Sequence, residues 1–379
     1  MDAIALGQLK KNETSRLMKK SILLLSLLFF YITFAQAQTV KYLSSGADLD
    51  AEITAGAVGD TYILGPGSYA GNTIITKRVT LIGPGYFNSS GPTGEASILG
   101  TISVNTGAEN SLITGLSFVN NVHLAASDII FQRNKITSQY FYFGYNTAGQ
   151  QPATNGMVVK ENYIATTGGL YFYGQPTTNF LFQNNIVQGD MVLSSMNNAS
   201  TGSFINNVFG AGSIASQGDG FAVPGNASGL GLEFVNNIFA KTLLTNSNNL
   251  FASANYVPNV FKYNVLLNTS ASFAGITPPT NNSFGNTLSN IFAGFPTNAA
   301  GLAFDEQYIL SPSSPAKNFG RLSPYTSTDP TTDAGAFGNS SPYLNSGTPI
   351  GPSIYQLTIP NVAATNSVVP VTIKAKSNN

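Results

Sequence analysis

The sequence predicts an all-β chain, a right-handed parallel β-helix with a short N-terminal capping helix and a β-rich C-terminal tail. Two observations carry that prediction. The first is a recurring frame: an apolar residue, two spacers, an Asn, then usually a further apolar pair. It occurs as Phe118-Val-Asn-Asn121, Phe131-Gln-Arg-Asn134, Val159-Lys-Glu-Asn162, Phe182-Gln-Asn-Asn185, Phe204-Ile-Asn-Asn207, Phe234-Val-Asn-Asn237 and Phe261-Lys-Tyr-Asn264. The Asn residues lie 13, 28, 23, 22, 30 and 27 positions apart, and every interval but the first suits one coil of a β-solenoid. The second is composition. Only 9% of the 379 residues are charged, against about 25% in an ordinary soluble domain. Apolar residues still reach 42%, so the chain is not of the disordered kind; it suits a β body whose surface is amide and hydroxyl.

Physical chemistry accounts for the frame. A coil turns sharply between short strands, and Asn tolerates the left-handed backbone that such a corner needs. Stacking brings equivalent positions about 4.8 Å apart. Asn121, Asn134, Asn162, Asn185, Asn207, Asn237 and Asn264 are therefore expected to hydrogen-bond as one structural ladder. The flanking Phe, Ile and Val point inward. Phe131-Gln-Arg-Asn-Lys-Ile136 has no 3.6-residue period, which argues against helical repeats. An antiparallel sandwich would place Asn at hairpin tips instead of inside an apolar frame.

The elements follow in order. Residues 1–37 are expected to be a pre-sequence and signal peptide. From Met18 the chain reads Met-Lys-Lys, then an apolar stretch over Ser21 to Phe34, then Ala35-Gln-Ala37. That stretch is shorter than the roughly 20 apolar residues a membrane span needs. Export is expected, with cleavage after Ala37, no transmembrane span thereafter, and an extracellular or cell-surface location. The alternative is an uncut membrane anchor. Residues 1–17 are expected to precede the true start.

The β-helix domain is expected over 38–341. Ala47 to Ala55 reads as a short amphipathic helix, followed by Gly59-Asp-Thr-Tyr-Ile-Leu-Gly-Pro-Gly-Ser-Tyr69 and by Ile74-Ile-Thr-Lys-Arg-Val-Thr-Leu-Ile-Gly83. Here the chain resembles the right-handed β-helix proteins of the pectate-lyase-like superfamily, whose first coil reads in this way. Ser311-Pro-Ser-Ser-Pro-Ala316 and Asp333-Ala-Gly-Ala-Phe-Gly338 resemble the closing segment of its secreted bacterial members. The resemblance covers roughly residues 40–340 and speaks for fold, because that superfamily mixes lyases, hydrolases and non-catalytic adhesins. Residues 342–379 form the tail, where Ile354 to Ile359 and Val369 to Ile373 alternate as strands do. The tail is expected to cover the open edge of the last coil, the alternative being an attachment segment.

Chemistry is harder to find. There is no Cys, hence no disulfide, thiolate metal site or Cys nucleophile. Five basic residues fall before position 21, which leaves the remainder weakly acidic and excludes nucleic acid as a partner. The resemblance implies, for hydrolases, several Asp near a Gly-His-Gly. The single His, His123, reads as a surface or turn residue, and that motif is absent. For lyases it implies acidic calcium ligands and an Arg or Lys that removes a sugar-ring proton. Asp128, Arg133, Lys135, Lys160, Glu161 and Asp190 are the densest charge in the body, and Arg133, Lys160, Glu161 and Asp190 are the catalytic candidates. Against them, Arg133, Lys160 and Glu161 stand in spacers that alternation already turns outward. No metal or cofactor is expected; calcium is the one alternative, and no loop has the ligand spacing of a calcium site to support it.

Aromatic alternation is the other candidate feature. Tyr140-Phe-Tyr-Phe143 and Leu170-Tyr-Phe-Tyr173 follow Asn134 and Asn162 at six and eight residues. A period of two sends Phe141, Phe143 and Phe172 inward and leaves Tyr140, Tyr142, Tyr171 and Tyr173 outward, with Tyr145 nearby. Such rings offer an apolar face to sugar C–H groups and a hydroxyl for hydrogen bonding. The functional expectation is a secreted or cell-surface, non-catalytic protein, adhesin-like or carbohydrate-binding, with a polysaccharide or surface glycan as partner. The alternatives are a polysaccharide lyase at the Arg133/Lys160 neighbourhood and a purely structural envelope solenoid.

Overall fold

In the computed structural model, parallel strands stack into three sheets, the arrangement of a parallel β-helix solenoid. The structure describes residues 20, 38–86, 94–173, 175–189, 191–192, 197, 199–210, 221–222, 231–240, 260–267, 269, 280–294, 305–348, 351–358 and 371–378. The expected signal segment lies outside them, save for Lys20.

Among the described residues the first sheet has ten strands, from Val40–Leu43 at one end to Val260–Lys262 at the other. The second has nine, from Gly67–Tyr69 to Val265–Leu266. The third has seven, from Thr73–Ile75 to Phe221–Ala222. Register follows the repeat frame. Phe131, Val159, Phe182, Phe204, Phe234 and Phe261 pair in one inward column of the first sheet. Phe204 and Phe234 stack at 4.5 Å between centroids, and Phe143 stacks on Phe172 of the third sheet at 4.3 Å. Offset aromatic stacking of this kind adds to the area the rings bury.

The N-terminal helix is Leu49–Ala55. Asp48 caps it by accepting from the Ala51 N–H, and Leu49 and Ile53, one turn apart, are its buried residues. Asp50 accepts from the backbone N–H of Ile74 at 2.8 Å, so the helix satisfies an edge donor of the third sheet.

The second sheet is covered on its outer face. Tyr163, Ile186, Val208, Ile238 and Val265 alternate with the core-facing residues yet are buried, in a second apolar cluster with Ile291, Phe292, Tyr308, Ala334, Ala336 and Tyr343. Ala334-Gly-Ala336 lies against this row because a larger segment has no room. A Cβ on Gly335, whose φ is +87°, would fall 2.5 Å from Ile238 Cδ1. The covering segment runs to Thr348. Beyond it, Gly351–Thr358 and Thr372–Asn378 pair antiparallel with each other and with no described strand of the solenoid. The expected edge cover is thus not made by backbone pairing among the described residues.

Candidate functional site

Three constellations were expected, and the structure places them on different parts of the coil. The ladder stands at the corner between first and second sheets. The backbone N–H of Asn134 donates to Oδ1 of Asn162, and the same bond runs from 162 to 185, 185 to 207, 207 to 237 and 237 to 264, at 2.8–3.0 Å. Each Nδ2 donates to a carbonyl of the neighbouring coil, as Asn207 does to Phe182. Asn282, which lacks the apolar frame, accepts from Asn264 and extends the column.

Asn121 does not belong to this column. The residue stacked on Asn134 is Leu116, whose N–H donates to Asn134 Oδ1. Asn121 sits at the next corner, where its side chain accepts from the Tyr140 N–H at 3.0 Å. The 13-residue interval was the sign of this, being too short for a coil. The left-handed residue is also not the ladder Asn but the one before it: Arg133, Glu161, Asn184, Asn206, Asn236, Tyr263 and Asn281, with φ between 52° and 62°. A doublet therefore splits its work, the first Asn taking the strained corner and the second the ladder. The first Asn residues face out and hold the covering segment. Asn184 donates to the carbonyls of Ala336 and Gly338, Asn206 to that of Asp333, and Asn236 to that of Arg321.

The charged candidates occupy the same corner. Arg133 is 4% exposed and Glu161 0%, and Arg133 Nε meets Glu161 Oε2 at 2.6 Å. Ser341 donates to Glu161 Oε1, Lys160 Nζ lies 3.6 Å from it, and Arg133 Nη1 donates to the Thr348 carbonyl. Lys135 pairs with Glu95. Arg133, Lys160 and Glu161 are thus brought together, but Arg133 and Glu161 form an ion pair beneath the covering segment, with Lys160 partly exposed beside them. Asp190 lies outside the described residues. No group of three metal-ligating side chains is found among the described residues.

The tyrosines stand on the outer face of the third sheet. Tyr142 is in register with Tyr171, and Tyr140 with Gly169. Ring centroids are 5.7 Å apart for Tyr140–Tyr171, 6.0 Å for Tyr142–Tyr171, 5.4 Å for Tyr142–Tyr145 and 5.0 Å for Tyr145–Tyr173. All five are half-buried, so they form one contiguous surface instead of separate projections. Gly168 makes room for this: a Cβ there would lie 2.2 Å from the Tyr140 ring.

His123 is a sixth member that sequence reading took for a surface or turn residue. It is 5% exposed, meets the Tyr142 ring in a tilted contact at 4.6 Å and stacks with Tyr145 at 5.8 Å. Its Nδ1 donates to the Tyr145 carbonyl, since a carbonyl only accepts. Burial lowers its pKa, only partly offset by that bond, which keeps the ring neutral at pH 7. The signal for it was present: His123 lies one short coil before Tyr142. Burial pushes the Tyr142 hydroxyl up to about 12, with Tyr173, Tyr140, Tyr145 and Tyr171 adding to the effect, and Tyr173 shifts the same way.

Fold and site together define a parallel β-helix with one covered face and one aromatic face. No family model matches the chain, and no curated protein or solved structure matches it either. No helix among the described residues is long and apolar enough to cross a membrane.

Proposed function

We propose that the chain is an exported, non-catalytic β-helix protein of the cell surface or exterior that holds a glycan on its tyrosine face. One observation carries the reading. Five tyrosines and His123 form a single layer on the outside of a sheet, where the core does not require them. An aromatic layer left in contact with water normally marks a contact surface. The signal-like segment from Met18 to Ala37 supports export, and the first-coil motif Gly65-Pro-Gly-Ser-Tyr69 supports a right-handed solenoid of the pectate-lyase-like kind.

The lyase reading is disfavoured by the state of Arg133, one of its two candidate bases. A proton-abstracting Arg must reach a sugar ring, and Arg133 is buried in an ion pair under residues 341–348, while Lys160, partly exposed, lies 3.6 Å from the Glu161 carboxylate. The test is a glycan array with a Tyr142→Ala, Tyr171→Ala double variant. The variant is expected to keep its circular dichroism and melting temperature and to lose glycan retention, each ring contributing about 0.5–1.5 kcal/mol. If the variant unfolds, the rings are structural stacking and the solenoid is a scaffold. If it still binds, the platform is not the site. Release of unsaturated sugar products by the wild type, followed by ultraviolet absorbance, would reinstate the lyase.

A further inference from the structure

The tyrosine face also constrains the chemistry of what it holds. Among the described residues, the groups that act electrostatically on the Tyr142 hydroxyl are four other tyrosines, and those acting on Tyr173 are Tyr145 and Tyr140. No Lys, Arg, Asp or Glu stands among them. The one imidazole against the face is His123, buried beside Tyr142 and hydrogen-bonded to the Tyr145 carbonyl. The basic residues closest in sequence are turned elsewhere: Arg133 pairs with Glu161 and Lys135 with Glu95, both at the second-sheet corner. An anionic polymer laid on this face would meet, among the described residues, no cation to replace the water it gives up.

The hydroxyls supply the opposite preference. Tyr140 Oη accepts from Gln139, whereas the hydroxyls of Tyr142, Tyr145 and Tyr173 make no hydrogen bond to any described residue. A half-buried phenol normally finds a partner. Three open phenols over tilted rings match a ligand that has apolar faces and many hydroxyls of its own.

Resting on the glycan reading above, we infer that this face selects an uncharged polysaccharide, a neutral hexose or pentose polymer, and rejects uronate polymers. The selection is made by rings and hydroxyls alone, so it does not depend on salt.

The experiment is affinity electrophoresis and calorimetry of the whole protein against neutral glucan, mannan, galactan and xylan, and against polygalacturonate and alginate. Each is run at about 0.1 M and about 1 M NaCl, where the screening length falls from roughly 10 Å to roughly 3 Å. The expected result is binding of at least one neutral polymer, with Kd changing by less than about two-fold between the two salts, and no binding of either uronate. A Tyr142→Phe, Tyr173→Phe variant, which keeps the rings, is expected to bind that polymer about 3- to 10-fold more weakly. Retention of either uronate polymer overturns the inference and leaves the glycan reading standing. Binding of none of the six polymers removes both. Undiminished binding by the Phe variant removes the part given to the hydroxyls.

Discussion

At the scale of single residues, adjacent asparagines at one corner do different physical jobs. Asn206 has a φ of +55° and donates to the Asp333 carbonyl outside, while Asn207 turns inward and links Asn185, Phe182 and Asn237. Substitution should separate the two. At position 206, Ala keeps a Cβ in the left-handed region without the polar side chain that lets Asn tolerate it, at about 1–2 kcal/mol, a strain that Gly avoids. At 207 the backbone is not left-handed, so Gly gives no relief and costs about 0.5–1 kcal/mol more than Ala. Either change at 207 also strands the buried N–H of Asn185, worth about 1–3 kcal/mol. Asn206→Gly should therefore melt higher than Asn206→Ala, and Asn207→Gly lower than Asn207→Ala. Thermal melts giving the same order at both sites would refute the division of labour. The sequence showed that Asn mattered and at what period, but it did not show which of two neighbours bends. Arg133, Glu161 and Tyr263 fill the bent position with residues that rarely adopt it, so residue preference alone points to the wrong partner.

At the scale of elements, those three exceptions become intelligible as contacts of the covering segment. Tyr263 packs on Phe319 and under the Arg321 guanidinium, while Glu161 and Arg133 meet Ser341 and Thr348. The segment thus runs along the corner from the Tyr263 coil back to the Arg133 coil, held at each level by the residue that bends. Its start is tied to its end: Tyr343 Oη and the Ser346 N–H both donate to Asp305 Oδ2, and Tyr343 also meets Tyr86. Burial raises the Asp305 pKa, only partly offset by those donors. The Arg133–Glu161 pair offers the sharper test. Arg133→Met leaves a fully buried carboxylate short of its main partner and should cost about 3–5 kcal/mol. Arg133→Met with Glu161→Met removes both charges and should recover most of that loss. Urea denaturation of the two variants checks it, and a double variant as unstable as the single would mean the pair is not what anchors this end. This segment was invisible to periodicity, because a chain lying across coils need not repeat. Its trace in the sequence is indirect. Ile186-Val187, Val208-Phe209, Ile238-Phe239 and Val265-Leu266 are consecutive apolar pairs, and a strand apolar on both faces is a strand covered on both faces.

At the scale of the whole molecule, the three outer faces of the solenoid have three different fates. The second is sealed, the third is aromatic, and the first remains a mixed surface where Ile130 is 39% exposed and Ser203 bonds Glu233. The repeat frame made the stack of coils legible because every coil solves the same problem with the same residue types. The tyrosine layer was legible for a related reason, since alternation assigns faces without any knowledge of packing. What covers the second face is a tertiary choice, and it determines whether the solenoid can stand alone. Uncovering Tyr163, Ile186, Val208, Ile238 and Val265 forfeits about 1.5–3 kcal/mol for each side chain returned to water. Five such losses are on the order of the 5–15 kcal/mol that holds an entire domain folded. A chain ended before Asp305 should therefore collect in the insoluble fraction, or bind a hydrophobic dye strongly if it stays in solution. A chain ended after Thr348 keeps the described contacts of the covering segment and loses a hairpin that, among the described residues, pairs only with itself. It should melt within about 2 °C of the full chain, which corresponds to roughly 1 kcal/mol, and retain any glycan the full chain retains. If the shorter truncate is instead the soluble, dye-silent one, the second face is not a core and the solenoid's stability lies in its ladder and its stacked Phe residues alone.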